Sequence, residues 1–432
     1  MGDIVDMNKR WKNTNSLAEQ AKRDEPYLNK FIRTKSGDIK KASLTNIEII
    51  LEFDSLLKGA FAYNEFTYEK DVVRSIPEIG IEPGQMLDRY YTFISSYIEK
   101  QEKYNKTCFD NNMIARAMDV VAQNHSYNPV IDYFNFCESN WDGKNRIDVF
   151  FQTFLGAEER QEIHWIAHWF FGGAVAKVFN PLTKFDLVLD LVGGQGAGKT
   201  TLLQKIAPLE LYTDQFNSFT EKDDFSAMKK AVIVNDDEMT VTNKTSFESL
   251  KKFITLQEFE YRKPYARESE RFHKKFLLTR TTNEVNYLKD KTGERRFMPV
   301  LVDKSRQILH PVSDLKQDYI DQLWGEAVHL YKSGEVSLHP TKDQEEIMED
   351  YRHSFMYTDE VEDELDVLLS NQFKDREFIS SSEIAFELTG ASNLVSNRKL
   401  ANKISYLMVN RFGFKKSSKR IGGTKTKGYI KQ

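Results

Sequence analysis

One eight-residue stretch, Gly193-Gly194-Gln195-Gly196-Ala197-Gly198-Lys199-Thr200, constrains this chain more than any other. An apolar, β-prone run (residues 185–192) precedes it, and Thr201-Leu202-Leu203-Gln204-Lys205-Ile206 follows as the opening of a helix. Strand, glycine loop and helix in that order form the setting of a phosphate-binding loop. Successive backbone N–H groups of such a loop converge on one concavity, and the helix adds the positive end of its dipole. Gly193, Gln195, Gly196, Ala197, Gly198, Lys199, Thr200 and Thr201 are therefore expected to cradle ATP. Lys199 would reach the β- and γ-phosphates, and the Thr200 hydroxyl would ligate Mg²⁺. Chance supplies the bare pattern in about one or two of every hundred chains this long.

The 432 residues hold two to four domains with ample material for a core. A net charge of −4 excludes a generally basic nucleic-acid sponge, so contacts with DNA must come from local patches. Cys108 and Cys137 are too few for a disulfide framework or a zinc site, which fits a reducing compartment. The amino terminus has no apolar core of a signal peptide, and Asp6 spoils a myristoylation pattern at Gly2. The longest apolar run, around residues 169–178, is too short to span a bilayer. The expected setting is the cytoplasm of a bacterial host, with no membrane partner.

Apolar spacing predicts helices through most of the first 180 residues, one opening on the capping pattern Thr45-Asn46-Ile47-Glu48. Asn128-Pro129-Val130 reads as a break, and His164 and His168 read as core or interface histidines rather than a metal pair. Strand-like runs at 185–192, 231–234, 275–280 and 297–302 alternate with helices, the signature of a three-layer α/β domain. The expected organisation is multidomain α/β: a helical amino-terminal region (1–110), a helical domain (111–180), a P-loop ATPase core (181–310), a helical lid or connector (311–355) and a winged helix (356–432).

A triphosphate site needs an acidic partner. The apolar strand Ala231-Val232-Ile233-Val234 ends in Asn235-Asp236-Asp237-Glu238. Asp236 or Asp237 would hold Mg²⁺, and Glu238 would polarise the attacking water. A second strand ends at Asn283, the candidate sensor of the γ-phosphate. Arg295 and Arg296 admit two readings, an arginine finger delivered to a neighbour's site or a surface salt-bridge pair.

Between these motifs, Arg262, Lys263, Tyr265, Arg267, Arg271 and Lys274 interleave cations with aromatics, as a contact with nucleic-acid backbone and bases requires; an exposed hairpin is the structural alternative. Near the carboxyl end, two short helices precede Lys415, Lys416, Lys419, Arg420, Lys425 and Lys427, with Gly422-Gly423 in their midst. Helix, turn, helix and a glycine-tipped basic ribbon read as a winged helix binding DNA.

The order of motifs, from Asn128-Pro129 and Trp141-Asp142-Gly143 with Arg146, through the glycine loop and the acidic strand end, to Thr281-Thr282-Asn283 and residues 290–297, resembles the virulence-associated protein E family. These are phage and pathogenicity-island proteins related to superfamily 3 helicases of the AAA+ class. The resemblance spans about residues 45–335 and implies a DNA-replication ATPase assembled as a ring, expected to be a hexamer, with residues 261–275 as the channel hairpin. The sequence departs from the family at Asn235, where a glutamate is usual, and at Asp236 and Asp237, while Glu238 matches. Many relatives carry a primase domain upstream; the segment ahead of this core is too short for one, so primer synthesis is not expected. The leading expectation is an ATP-dependent DNA helicase for a phage or mobile element. Its rival is an ATP-switched, origin-binding initiator or regulator that does not unwind DNA. A small-molecule P-loop kinase would leave the basic segments and paired arginines without a role.

Overall fold

Ser43 opens the first long helix, α1 (Leu44–Phe53), by accepting the Asn46 N–H at 3.4 Å. The capping pattern expected at Thr45 is displaced because Asn46 is fully buried. Its side-chain amide accepts from the Ile32 N–H at 2.8 Å and donates to the Ile32 and Lys40 carbonyls. The computed structural model describes residues 26–261, 268–288, 294–357, 360–374, 376–390 and 398–431. The chain divides into two units, Met1–Asn283 with Arg295–Met348, and Glu284–Glu294 with Glu349–Gln432.

In the first unit, β1 (Phe61–Asn64), β2 (Glu69–Val72) and β3 (Gly84–Gln85) form a small antiparallel sheet. Strands this short leave little alternation to read. α2 (Asp88–Lys100) and α3 (Asn111–Asn124) pack a shared core that includes Ile94, Ile98, Ile114 and Met118. Asn128 and Pro129 start a helix instead of only ending one. The Asn128 side chain accepts from the N–H groups of Val130 and Ile131, and Pro129 takes the first position of α4 (Pro129–Ser139). α5 (Phe150–Leu155) leads to α6 (Gln161–Phe179), which is apolar nearly all round because it is buried nearly all round.

The centre of the first unit is a five-stranded parallel sheet. β4 (Val188–Gly193) leads through α7 (Lys199–Ile206) to the edge strand β5 (Tyr212–Thr213), and α8 (Lys222–Met228) leads to β6 (Ile233–Asp236). α9 (Phe247–Thr255) and the antiparallel pair β7 (Glu258–Tyr261) and β8 (Glu270–His273) come before β9 (Leu277–Thr282) and β10 (Phe297–Val302). The strand order is β10-β4-β9-β6-β5, so the carboxyl ends of β4, β6 and β9 stand side by side. In parallel α/β sheets ligands bind beyond such ends.

α10 (Gln317–Ser333) seals the helical side of this unit. Gly325 sits so close to α4 that a Cβ there would lie 2.5 Å from the Cys137 carbonyl oxygen. Trp324 is fully buried and donates its indole N–H to the Ile206 carbonyl at 2.9 Å. The Trp141–Arg146 motif belongs to the same seam. Arg146 grips Asp142 with two hydrogen bonds of 2.7 and 2.8 Å, while Glu326 accepts the N–H groups of Arg146 and Ile147. α11 (Lys342–His353) follows.

The second unit contains α12 (Glu360–Ser370), β11 (Phe378–Ser380), α13 (Ser381–Thr389), α14 (Arg398–Tyr406) with a π-helical turn (Leu407–Arg411), and the hairpin β12 (Phe414–Ile421) and β13 (Thr424–Lys431). Ser380 and Glu383 form a reciprocal capping box, and Gly390 ends α13 at a φ of 71°. The strand order is β11-β13-β12; at Gly428 a Cβ would lie 2.2 Å from the Ile379 carbonyl oxygen, so glycine alone permits that pairing. Leu365, Ile379, Ile384, Ile404, Met408, Phe414 and Tyr429 form its core. The fold is mixed α/β, with a parallel sheet and many helices.

Candidate functional site

β4 delivers Gly193 to the carboxyl edge of the sheet, where the chain turns through residues 194–198 into α7. Gly193 needs its freedom twice over. Its φ is 148°, and a Cβ would lie 2.4 Å from the Val302 carbonyl oxygen of β10. Gly198, at φ 81°, has the Pro311 ring 3.0 Å from the same hypothetical position. Gly194, Gln195 and Gly196 face solvent, whereas Ala197 is buried and its carbonyl accepts from Gln307 Nε2 at 2.7 Å.

Lys199 folds back under this loop. Its Nζ donates to the carbonyls of Gly193 at 2.6 Å and Gly194 at 3.0 Å, and to Asn283 Oδ1 at 3.0 Å. Burial lowers its pKa, opposed by the negative charges of Asp237 and Glu238. The end of β9 and the start of α7 therefore meet at one ammonium group.

Asp237 is the acidic counterpart. Its Oδ1 accepts from the hydroxyls of Thr200 and Thr281, each at 2.7 Å, and from Asn235 Nδ2 at 3.4 Å. A carboxylate beside the first hydroxyl of the helix is a hard oxygen donor set, and these two side chains fit a Mg²⁺ ion. Asp236 differs. It is buried, and its two oxygens accept the N–H groups of Val241 at 2.9 Å and Thr242 at 2.7 Å. Asp236 thereby braces the turn after β6. Glu238 adopts left-handed backbone (φ 53°, ψ 24°), its N–H donates to Thr281 Oγ1 at 2.9 Å, and its side chain is exposed.

The paired arginines separate. Arg296 is half-buried, with Nε 4.0 Å from Asp186 Oδ2 of the same chain, and Arg295 is exposed. Beneath the site, Arg280 of β9 donates to Asp190 of β4 at 2.7 and 2.6 Å; both side chains are buried, and the guanidinium lies 4.0 Å from the Phe297 ring centre. This pair escaped the sequence reading. Its signal was one acid and one base, each set in an otherwise apolar strand, since a buried charge requires a partner. Lys304 and Gln307 also escaped it. Lys304 Nζ lies 3.9 Å from where Gly196 would carry a Cβ, a proximity that exists only once β10 is paired with β4.

The basic hairpin divides as well. Arg262, Lys263, Tyr265 and Arg267 lie outside the described residues. Arg271 is exposed, 3.7 Å from Glu260 across the ladder. Lys274 is not a surface cation. It is buried, and its Nζ donates to the carbonyls of Phe253 at 3.3 Å and Ile254 at 2.7 Å, so the end of α9 holds it away from any external phosphate. Burial pushes its pKa down to about 7. Lys275 is likewise buried and donates to the carbonyls of Glu65 and Phe66, with the Tyr68 ring centre 3.6 Å from Nζ. In the second unit, Lys415, Lys416, Lys419, Arg420, Lys425 and Lys427 are all exposed on the β12–β13 ribbon.

His168 Nε2 lies 2.7 Å from Asp148 Oδ1 and His164 Nδ1 lies 4.0 Å from it; among the described residues no group of three or more His, Cys, Asp or Glu suits a metal ion. Among the same residues no helix is long and apolar enough to cross a membrane.

A family model described as the virulence-associated protein E-like domain matches residues 135–357. Two apo structures of the NrS-1 C terminal region, both in an A form, are similar at 10% and 12% identity with TM-scores of 0.42 and 0.43; each comparison covers 86% of this chain and 96% of that chain. A further apo structure of that region gives 12% identity and a TM-score of 0.38 over the same shares. No curated protein matches the chain.

Proposed function

This chain belongs to the virulence-associated protein E-like family, and on that premise we propose that it is an ATP-dependent DNA helicase of the superfamily 3 type, working in replication of a phage or mobile element. One observation carries the reading. Lys199, Thr200, Asp237, Thr281 and Asn283 come from three neighbouring elements of one sheet edge and are joined by hydrogen bonds of 2.7–3.0 Å. A structural glycine turn has no need of a lysine, an acid and an amide converging on its concavity.

In this proposal the first unit holds an AAA+ core and ATP occupies the 193–200 loop. Lys199 exchanges its loop carbonyls for the β- and γ-phosphates. Thr200 and Asp237 hold Mg²⁺, which supplies neutralisation of the phosphate charge. Glu238 takes a proton from the attacking water, and Asn283, already on Lys199, reports the state of the γ-phosphate to β9. Subunits form a ring, expected to be a hexamer. Arg295, exposed where Arg296 turns to Asp186, reaches the neighbouring site. The β7–β8 hairpin grips single-stranded DNA, and the carboxyl-terminal unit is a winged helix that holds duplex.

The rival initiator draws on the exposed basic ribbon, which by itself serves a protein that only finds a site. Steady-state ATPase with and without single-stranded DNA, alongside unwinding of a forked duplex, separates the two. DNA-stimulated hydrolysis with strand separation, both lost in Lys199→Ala, is the expected result. Slow hydrolysis indifferent to DNA, without unwinding, would favour the initiator.

A further inference from the structure

We infer that Lys304 is a second phosphate ligand of the 193–200 loop, binding in its own subunit the α- and β-phosphates that ADP and ATP share. This rests on the reading above that ATP occupies the loop, and deepens it by assigning a cation outside every motif of the sequence.

The charge around the loop calls for such a group. Lys199 brings one ammonium to the site, and Asp237 and Glu238 bring two carboxylates close enough to act on its proton. A triphosphate stays anionic with Mg²⁺ bound, so that balance repels it. One more ammonium on the open side of the loop makes the protein's own contribution neutral.

Lys304 stands at that place. It opens the 3₁₀ turn Lys304–Arg306 after β10, and its Nζ lies 3.9 Å from where Gly196 would carry a Cβ. Gly196, at a φ of 77°, is the middle glycine of the loop. The N–H groups around and beyond that position are the ones that cradle α- and β-phosphates in loops of this kind. Lys199 is buried under the loop, whereas Lys304 is exposed and reaches Gly196 from the solvent side.

The polar neighbours of Lys304 are committed. Arg306 pairs with Glu158 and with Asp303, each at 3.0 Å, and the Ser305 hydroxyl donates to Asp303 at 2.6 Å. Among the described residues no acid pairs with Lys304.

The backbone that carries Lys304 is fixed against the loop. α5 ends in three carbonyls without helical partners, and the segment 303–309 satisfies them all. The N–H of Asp303 donates to Leu155 at 3.0 Å, Gln307 Nε2 to Phe154 at 2.9 Å, and the N–H groups of Ile308 and Leu309 to Thr153 at 3.0 Å. Gly156 permits the approach, since a Cβ there would lie 2.1 Å from the Asp303 carbonyl oxygen. Gln307 Nε2 also donates to the Ala197 carbonyl at 2.7 Å, tying turn to loop. Only the Lys304 side chain then has to be ordered when a nucleotide arrives, which keeps the entropic cost of that contact small.

Calorimetric titration of the full-length chain with ADP and with a non-hydrolysable ATP analogue, both with Mg²⁺, tests the assignment. Lys304→Met should weaken both nucleotides by the same factor, about five- to fiftyfold, on the scale of a charge-assisted hydrogen bond. Its urea midpoint should match the wild type, because the side chain is exposed. Lys304→Arg, which keeps the charge, should bring both affinities back to within about threefold of wild type. Undiminished affinity for both nucleotides in Lys304→Met would remove the residue from the site, and a loss confined to the triphosphate analogue would move it to the γ-phosphate; either overturns the proposal. A wild-type chain that binds neither nucleotide overturns the ATP reading and this assignment together. Nucleotide binding that depends on Lys304, in a chain that does not unwind DNA, refutes the helicase and leaves the phosphate ligand standing.

Discussion

The Thr200 hydroxyl donates to Asp237 Oδ1 across 2.7 Å, tying the first turn of α7 to the turn that ends β6. Asp236, one residue earlier, spends both oxygens on backbone N–H groups. Two adjacent aspartates thus have different tasks. Asp237→Asn should keep its fold and lose Mg²⁺-dependent hydrolysis by at least about a hundredfold, on the scale of removing a positioned charge. Asp236→Ala should instead destabilise the protein by about 3 kcal/mol, since two charge-assisted hydrogen bonds leave buried donors behind. Urea midpoints beside ATPase rates decide the matter, and equal stability of the two variants would refute the division.

Glu238 combines a proposed chemical role with a left-handed backbone. Glu238→Gln should bind ATP and hydrolyse it at least about a hundredfold more slowly. Glu238→Gly should be as slow and more stable by up to about 1 kcal/mol, because glycine accepts a φ of 53° without strain. Retained turnover in both variants would remove Glu238 from the reaction.

Arg295→Ala should abolish hydrolysis while leaving nucleotide affinity within a few-fold. Mixed with Lys199→Ala protein it should recover part of the activity, since the intact finger of one subunit then serves the intact loop of another. No recovery at any mixing ratio would place the arginine outside the neighbour's site.

Arg280→Met should cost about 3–5 kcal/mol by stranding Asp190 in the sheet, whereas Arg280→Met with Asp190→Leu should restore most of that loss. Chemical denaturation of the two singles and the double gives the coupling. A double variant as unstable as the sum of the singles would mean that packing, not charge, dominates here.

Lys274 sets a pH dependence. Its folded pKa, near 7, lies below the ordinary lysine value of 10.5, so between these limits the unfolded chain binds the proton and the folded chain does not. Stability from this group therefore rises with pH across that window and is flat below about pH 7, with a limiting slope of about 1.4 kcal/mol per pH unit. Unfolding free energies of wild type and Lys274→Met between pH 7.5 and 9.5 (roughly the middle of the window) should diverge in slope, the variant being flatter. Parallel lines would show that Lys274 stays protonated beside the Phe253 and Ile254 carbonyls.

Local chemistry was legible in the chain. The glycine loop between strand and helix and the glycine-tipped ribbon depend on residues within a few positions of one another, so the sequence alone determined them. What depended on distant partners was settled only by the tertiary structure. Which of two consecutive aspartates meets Thr200 follows from the direction of the chain after β6. Lys274 is drawn under α9 while Arg271 stays outside, although both sit in one basic run. Asp190 and Arg280 are 90 residues apart and meet because β4 lies beside β9, and Glu326 reaches Arg146 across 180. Residue type announces that a charge needs a partner; strand order and helix packing decide which partner it finds.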